Sequence, residues 1–175
     1  MINKDNSGFC VPYTVRKTID KGLGVFAEAA IEKDTIIWRY VRGQFAVYDE
    51  QSFRQLVANF SRDEVIYLLE HVCAIAEFPD YMIQILDAGA LINHSDQANL
   101  MTNNSKISNQ ESDLGISQKA NDIEAYLLED HFAVVAKRYM KEGEEFTMDY
   151  NIDPEDPSYY DELCEEYEVN WDWLS

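Results

Sequence analysis

The chain has no uninterrupted apolar run of about 18 residues, the length a helix needs to cross a bilayer, and no apolar stretch behind a basic segment at its start. These absences predict a soluble, intracellular protein, cytoplasmic or nuclear, with no membrane partner. Cysteine is scarce: Cys10, Cys73 and Cys164 lie far apart, and no Cys-x-x-Cys pair occurs. A disulfide framework and a cysteine zinc cluster are therefore excluded, the thiols are expected reduced, and no metal site is expected. Basic residues are few, with 14 Lys plus Arg against 33 Asp plus Glu and a formal charge of −19. Such a field disfavours direct contact with phosphate backbones, so no nucleic acid partner is expected, and it attracts basic peptides. The same acidity also serves solubility. A completed Gly-x-Gly-x-x-Gly is missing as well, because Ala27 stands at the third position and no βαβ unit follows, which excludes a Rossmann nucleotide site.

What is present suffices for one core: 175 residues with 46% hydrophobic content predict a single compact domain. Residues 1–11 read as a polar arm. Residues 13–19 alternate, Asp20-Lys21-Gly22 signals a turn, and Val25-Phe26-Ala27 begins a second strand, which together predict an antiparallel hairpin. Residues 36–41 are strand-like by β-branched and aromatic content. From Asp49 the period changes. Phe53, Leu56, Val57 and Phe60 predict one helix ending near Ser61, and Ser61 with Glu64 predicts a capped second helix over 62–76, its apolar face made by Val65, Leu68, Leu69, Val72 and Ile75. His71 and Cys73 read as structural. Residues 81–86 predict a strand, 101–122 a long polar loop, and 124–128 and 132–136 two strands joined by a turn that exposes His131. The acidic, aromatic tail 152–175 predicts a helix over about 159–167.

Three stretches carry the chemistry. Leu91-Ile92-Asn93-His94-Ser95-Asp96-Gln97-Ala98-Asn99 places amides, an imidazole and a hydroxyl where a strand gives way to a loop. Side chains of this kind bond either a neighbouring backbone or a ligand. Lys21-Gly22-Leu23-Gly24-Val25-Phe26-Ala27 is a glycine-bearing loop entering a strand, and Lys141-Glu142-Gly143-Glu144-Glu145-Phe146-Thr147-Met148-Asp149-Tyr150 is a turn followed by a strand-like segment. In order and spacing, these and Ala136-Lys137-Arg138-Tyr139-Met140 resemble the signatures of the SET-domain protein lysine methyltransferases, a resemblance spanning most of residues 12–151.

The resemblance implies a mainly β fold with a helical insertion (α+β), a SET-like β-clip over 12–151 whose Asp-Tyr segment is threaded, as a pseudoknot, beneath the loop near Asn93. It implies an enzyme of the EC 2.1.1 class that transfers a methyl group from S-adenosyl-L-methionine to lysine in a basic protein or peptide. Asn93 and His94 match residues that hold this cofactor, and Gly22 and Gly24 match a loop whose backbone approaches it. Lys21 has a basic counterpart in the family, or is a solvated turn lysine. Tyr150 matches the active-site tyrosine. A second tunnel tyrosine is not placed by motif; Tyr40, Tyr48 and Tyr81 are possible by position. Residues 49–78 match a variable insertion that helps form the substrate groove. The family's cysteine-rich segment after the Asp-Tyr strand is missing, so Tyr159, Tyr160, Trp171 and Trp173 either supply a lid from the tail or anchor the tail to the core. Asp96 stands where a small thiol is usual, which makes it paired, exposed or part of a different loop. Two other readings remain open: a catalytically silent SET-like module that binds a basic protein or peptide, and methylation of a free small amine.

Overall fold

The computed structural model describes residues 7–74, 78–103, 123–129, 132–150 and 156–169. The chain divides into two units, one formed by residues 1–44 and 86–151, the other by 45–85 and 152–175.

The first unit begins with the expected hairpin. β1 (Tyr13–Lys17) and β2 (Leu23–Ala27) pair antiparallel with Val15 opposite Val25, and Val25 is fully buried. The turn between them carries Gly22 at φ 76°, a left-handed conformation that a side chain with a β-carbon would resist. β3 (Ile36–Trp38), β8 (Leu100–Thr102) and β9 (Val134–Ala136) form an antiparallel sheet in the order β3-β9-β8. β7 (Asn93–His94) and β10 (Thr147–Met148) form a short parallel pair, with Thr147 beside Asn93 and Met148 beside His94. Residues 7–10 are built into the unit, for Cys10 N–H donates to the Ile37 carbonyl and Phe9 bridges Trp38.

Asp87 caps a 3-10 turn over Ala88–Leu91 and is nearly buried. Its carboxylate accepts from the N–H groups of Gly8 (2.6 Å) and Gly89 (2.8 Å) and from Trp38 Nε1 (3.1 Å). Donors on three sides offset the desolvation of that charge.

The second unit packs the sheet β4 (Phe45–Asp49), β6 (Tyr81–Ile85) and β5 (Val72–Cys73), in the order β4-β6-β5, with helices α1 (Glu50–Val57) and α2 (Arg62–Leu69). Its core joins Phe53, Val65, Leu68, Leu69 and Met82 to Tyr159, Tyr160 and Leu163 of the C-terminal helix Ser158–Tyr167. Tyr160 Oη donates to the Leu69 carbonyl at 2.7 Å. Of the four tail aromatics, Tyr159 and Tyr160 are thus core residues of this unit, while Trp171 and Trp173 lie outside the described residues.

Several elements differ from expectation. Helix α1 stops at Val57, leaving Phe60 39% exposed rather than on its apolar face. Helix α2 has the predicted capping box at Ser61 and Glu64 but ends at Leu69, because Val72 and Cys73 leave it to pair with β6. Sheet pairing of β-branched Val72 outweighs its place in the helical period. Ile75 lies outside the described residues. His71 is half-buried; its ring stacks on Tyr67 at 4.0 Å, and Nδ1 donates to the Tyr67 carbonyl. The segment expected as a strand at 124–128 is a helix, α3 (Ile123–Leu127). Ile123 and Leu127 are spaced as on one helical face and only Leu127 is fully buried, while Glu124 pairs with Arg42 at 3.1 Å. Most of the expected polar loop, 104–122, and the turn at His131 lie outside the described residues.

Candidate active site

The three signature stretches meet in the first unit. Residues 143–146 lie along β2: Gly143 N–H donates to the Ala27 carbonyl, Ala27 N–H to Glu144 and Phe146 N–H to Val25. On the other side, Ser95 N–H donates to the Met148 carbonyl beside the β7–β10 pair. Asn99, only 3% exposed, ties the seam together. Its amide donates to the Glu145 carbonyl (2.7 Å) and the Glu144 carboxylate (3.3 Å), and its Oδ1 accepts from Thr147 N–H (3.0 Å). Arg138, 2.5 Å from Glu144, holds that carboxyl below the usual carboxylate range.

The two glycines serve different needs. A β-carbon at Gly22 would meet nothing within 4 Å, so its requirement is the positive φ alone. A β-carbon at Gly24 would come within 2.6 Å of Glu145 Oε1, 2.8 Å of Thr18 Cγ2 and 2.9 Å of Asn93 Nδ2. Only hydrogen fits where the three stretches close on one another.

Asn93 donates both amide hydrogens within the protein, to the Leu23 carbonyl (3.1 Å) and to Glu145 Oε1 (2.7 Å). Its own Oδ1 is the atom it can offer a ligand. Lys21 Nζ donates to the His94 carbonyl at 2.6 Å and keeps two further N–H donors on an exposed ammonium. The imidazole of His94 has one defined protonation pattern. Tyr150 N–H donates to Nδ1 (3.1 Å), so Nε2 carries the ring proton and directs it at Asp96 Oδ1 (3.2 Å). Asp96 is therefore both paired and exposed, its side chain 85% accessible, and no buried charge results.

Tyr150 completes the cluster. Its hydroxyl donates to the Ile92 carbonyl, and its ring lies 5.7 Å from that of His94 at 46°. The proposed site residues Lys21, Gly22, Gly24, Asn93, His94 and Tyr150 thus belong to one constellation. Tyr40 instead packs on Trp38, and Tyr48 and Tyr81 belong to β4 and β6 of the second unit. Asn99 and Glu145 were missed as site-builders although both stand inside the signatures; the paired amide and carboxylate residues were the available signal. Among the described residues, His94, Asp96 and Asp149 bring possible metal-ligating atoms within 4.8 Å of one another. With its proton on Nε2 and Nδ1 occupied by Tyr150 N–H, the neutral imidazole has no lone pair to give a cation there.

The SET-domain family model matches residues 22–151, and the chain belongs to the SET-domain family. The family consists generally of lysine methyltransferases that use S-adenosylmethionine. The chain is also similar to a solved structure from Plasmodium falciparum provisionally described as a histone methyltransferase, with 18% identity, 80% of this chain and 93% of that chain covered, and a TM-score of 0.46. No curated protein matches it. The described residues contain no helix long and apolar enough to cross a membrane.

Proposed function

We propose that the protein is an S-adenosylmethionine-dependent lysine N-methyltransferase acting on a basic protein or peptide. The observation that carries this reading is the convergence of Gly24, Asn93, His94 and Tyr150 on one seam, with Lys21 bonded across it. The donor set suits a zwitterionic methyl donor. Lys21 would attract its carboxylate, the Asn93 Oδ1 and the carbonyl groups of this seam would accept from its amino group, and Gly24 would let the backbone come close. When bound, the cofactor supplies a methyl group on a sulfonium, ready for in-line displacement.

The chain's own task is to present a neutral amine. A free lysine titrates near 10.4 and is protonated at neutral pH, so an apolar passage must disfavour its charge by desolvation. Tyr150 would line that passage, and orientation of the amine by its ring and by the Ile92 carbonyl it holds can supply several kcal/mol of barrier lowering. The parallel β7–β10 pairing supports a threaded arrangement of the Asp149-Tyr150 segment beneath the loop near Asn93. A formal charge of −19 supports a basic acceptor, and the soluble, intracellular setting is part of the same reading.

Calorimetric titration with S-adenosylmethionine and S-adenosylhomocysteine tests it directly. Saturable binding is expected, weakened at least about tenfold, or 1.4 kcal/mol, by His94→Ala. No heat from a folded sample at millimolar ligand would favour the silent binding module instead. Given binding, Tyr150→Phe should leave donor affinity within about twofold while lowering turnover at least tenfold or changing the number of methyls added. Unaltered kinetics would remove Tyr150 from its assigned role.

A further inference from the structure

Residues 7–10 lie outside the stretch that the SET-domain family model matches, yet they are seated against both halves of the seam. Their backbone runs beside β3, where Phe9 bridges Trp38, Cys10 N–H donates to the Ile37 carbonyl (2.8 Å) and Arg39 N–H donates to the Gly8 carbonyl (3.0 Å). Phe9 stacks on Tyr13 at 4.2 Å and on Phe146 at 5.9 Å. Phe146 is fully buried in the same stretch that ends in Tyr150.

The other half is reached through Asp87, whose carboxylate has two faces. Its Oδ2 accepts from the Ser7 hydroxyl (3.1 Å) and from Gly8 N–H (2.6 Å), its Oδ1 accepts from Gly89 N–H (2.8 Å), and Trp38 Nε1 lies 3.1 Å from each oxygen. A β-carbon would come within 2.5 Å of Trp38 Nε1 at Gly8 and within 2.6 Å of it at Gly89. Two glycines thus let residues 7–10 and the 3-10 turn close on one indole edge. From the turn the bonds continue to the catalytic tyrosine: Ile92 N–H donates to the Gly89 carbonyl (3.2 Å), and the Ile92 carbonyl accepts from the Tyr150 hydroxyl. Ile92 is buried, and close-packed interiors pass displacements on rather than absorb them.

We propose that Asp87 is a positioning residue for Tyr150 and that residues 7–10 are the strap that sets it. Held by the strap, Asp87 fixes the turn, the turn fixes the Ile92 carbonyl, and that carbonyl aims the Tyr150 hydroxyl. A neutral amide at position 87 could not serve both sides, since it offers one acceptor oxygen where strap and turn use two. The link from strap to hydroxyl stands on these contacts alone. Only its value to catalysis rests on the methyl-transfer reading, under which a misplacement of about 1 Å can cost on the order of 10²-fold in rate.

The test is ¹³C NMR of the full chain labelled at the tyrosine Cζ, with neither methyl donor nor acceptor present. The Tyr13 and Tyr150 signals are assigned by their loss in Tyr13→Phe and Tyr150→Phe. Gly8→Ala drives a methyl group into Trp38 and the Arg39 carbonyl and so lifts the strap, while Asp87→Asn breaks the link one step further on. Both should shift the Tyr150 signal, and Gly8→Ala should also shift that of Tyr13, on which Phe9 stacks. Ile31→Ala opens a cavity in the same unit at a residue bridged to Met140, and should destabilise the fold while leaving the Tyr150 signal in place. A Tyr150 signal that stays put once Tyr13 has moved, or that moves equally in Ile31→Ala, would overturn the proposal. So would an unmoved Tyr13 signal in Gly8→Ala, which would show that the strap is not seated on Trp38. Should either Gly8→Ala or Asp87→Asn fail to fold, the other decides alone. Because no donor is present, an absence of S-adenosylmethionine binding would remove the methyl-transfer reading and leave the link to Tyr150 standing, and the reverse holds too.

Discussion

At position 96 a carboxylate replaces the small thiol usual in this family, and the loop accommodates it without burying charge. Its partner is the Nε2–H of His94, whose other nitrogen already accepts from Tyr150 N–H. An exposed pair of this kind contributes at most about 1 kcal/mol. Asp96→Cys should therefore change unfolding free energy by less than that in urea titrations, and donor affinity by less than about fivefold; a larger gain in affinity would mean that Asp96 tunes the site. Gly24 has no such latitude. Gly24→Ala drives a methyl group into Glu145, Thr18 and Asn93 at once, all closer than 3.0 Å. A cost of about 1–3 kcal/mol is expected by urea titration, with loss of donor binding. Both residues were visible in the sequence, but their roles were not: a motif names Gly24 without its neighbours, and Asp96 reads as an anomaly until its partner is placed.

Among elements, the C-terminal helix offers an internal contrast. Tyr160 donates to the Leu69 carbonyl, while the hydroxyl of neighbouring Tyr159 has no hydrogen-bond partner among the described residues. Tyr160→Phe strands a buried carbonyl and should cost about 1–3 kcal/mol, while Tyr159→Phe removes an unsatisfied group and should be neutral or stabilising in the same thermal melts. This helix also makes its unit sensitive to alkali. Burial pushes Tyr159 up to about 12 and Cys164 up to about 11 from ordinary values of 10.0 and 9.0, and raises Tyr160 as well. The unfolded chain loses these protons first, so their contribution is intact below about pH 9 and declines as pH rises toward 12. Denaturant midpoints at pH 8 and 10.5 should fall accordingly, and a flat profile would count against this packing. The helix itself was legible behind Pro154 and Pro157, and the first hairpin and the Ser61 cap were legible from their turn and capping residues. The Ile123–Leu127 helix was not, because five residues give too short a window for period 2 and period 3.6 to separate. The end of α2 was obscured likewise, since Val72 fits both the helical face and the strand that claims it.

Over the whole molecule the dominant quantity is the formal charge of −19. Like charges repel most when the chain is compact, and dissolved salt screens them over about 8 Å at physiological strength. The melting temperature should rise between 20 mM and 500 mM sodium chloride; a fall would show that the surface ion pairs of Arg42, Arg54 and Arg62 outweigh the net repulsion. Composition made this property legible at once, whereas the division into two discontinuous units depends on pairings between distant residues and left no trace in local pattern.

The short parallel pairing of β7 with β10 also has a temporal consequence. His94 meets Tyr150 across 56 residues of chain, and the first unit is interrupted by residues 45–85. Contacts that close long loops form slowly. During synthesis from the N-terminus, the segment holding Asn93 and His94 must therefore wait on or near the ribosome, its backbone groups unpartnered, until residues 143–150 emerge. The seam between β7 and β10 is thus the last part of its unit to be assembled, and a nascent chain stopped before Glu142 should retain the β1–β2 hairpin while leaving that seam open to chaperones and proteases.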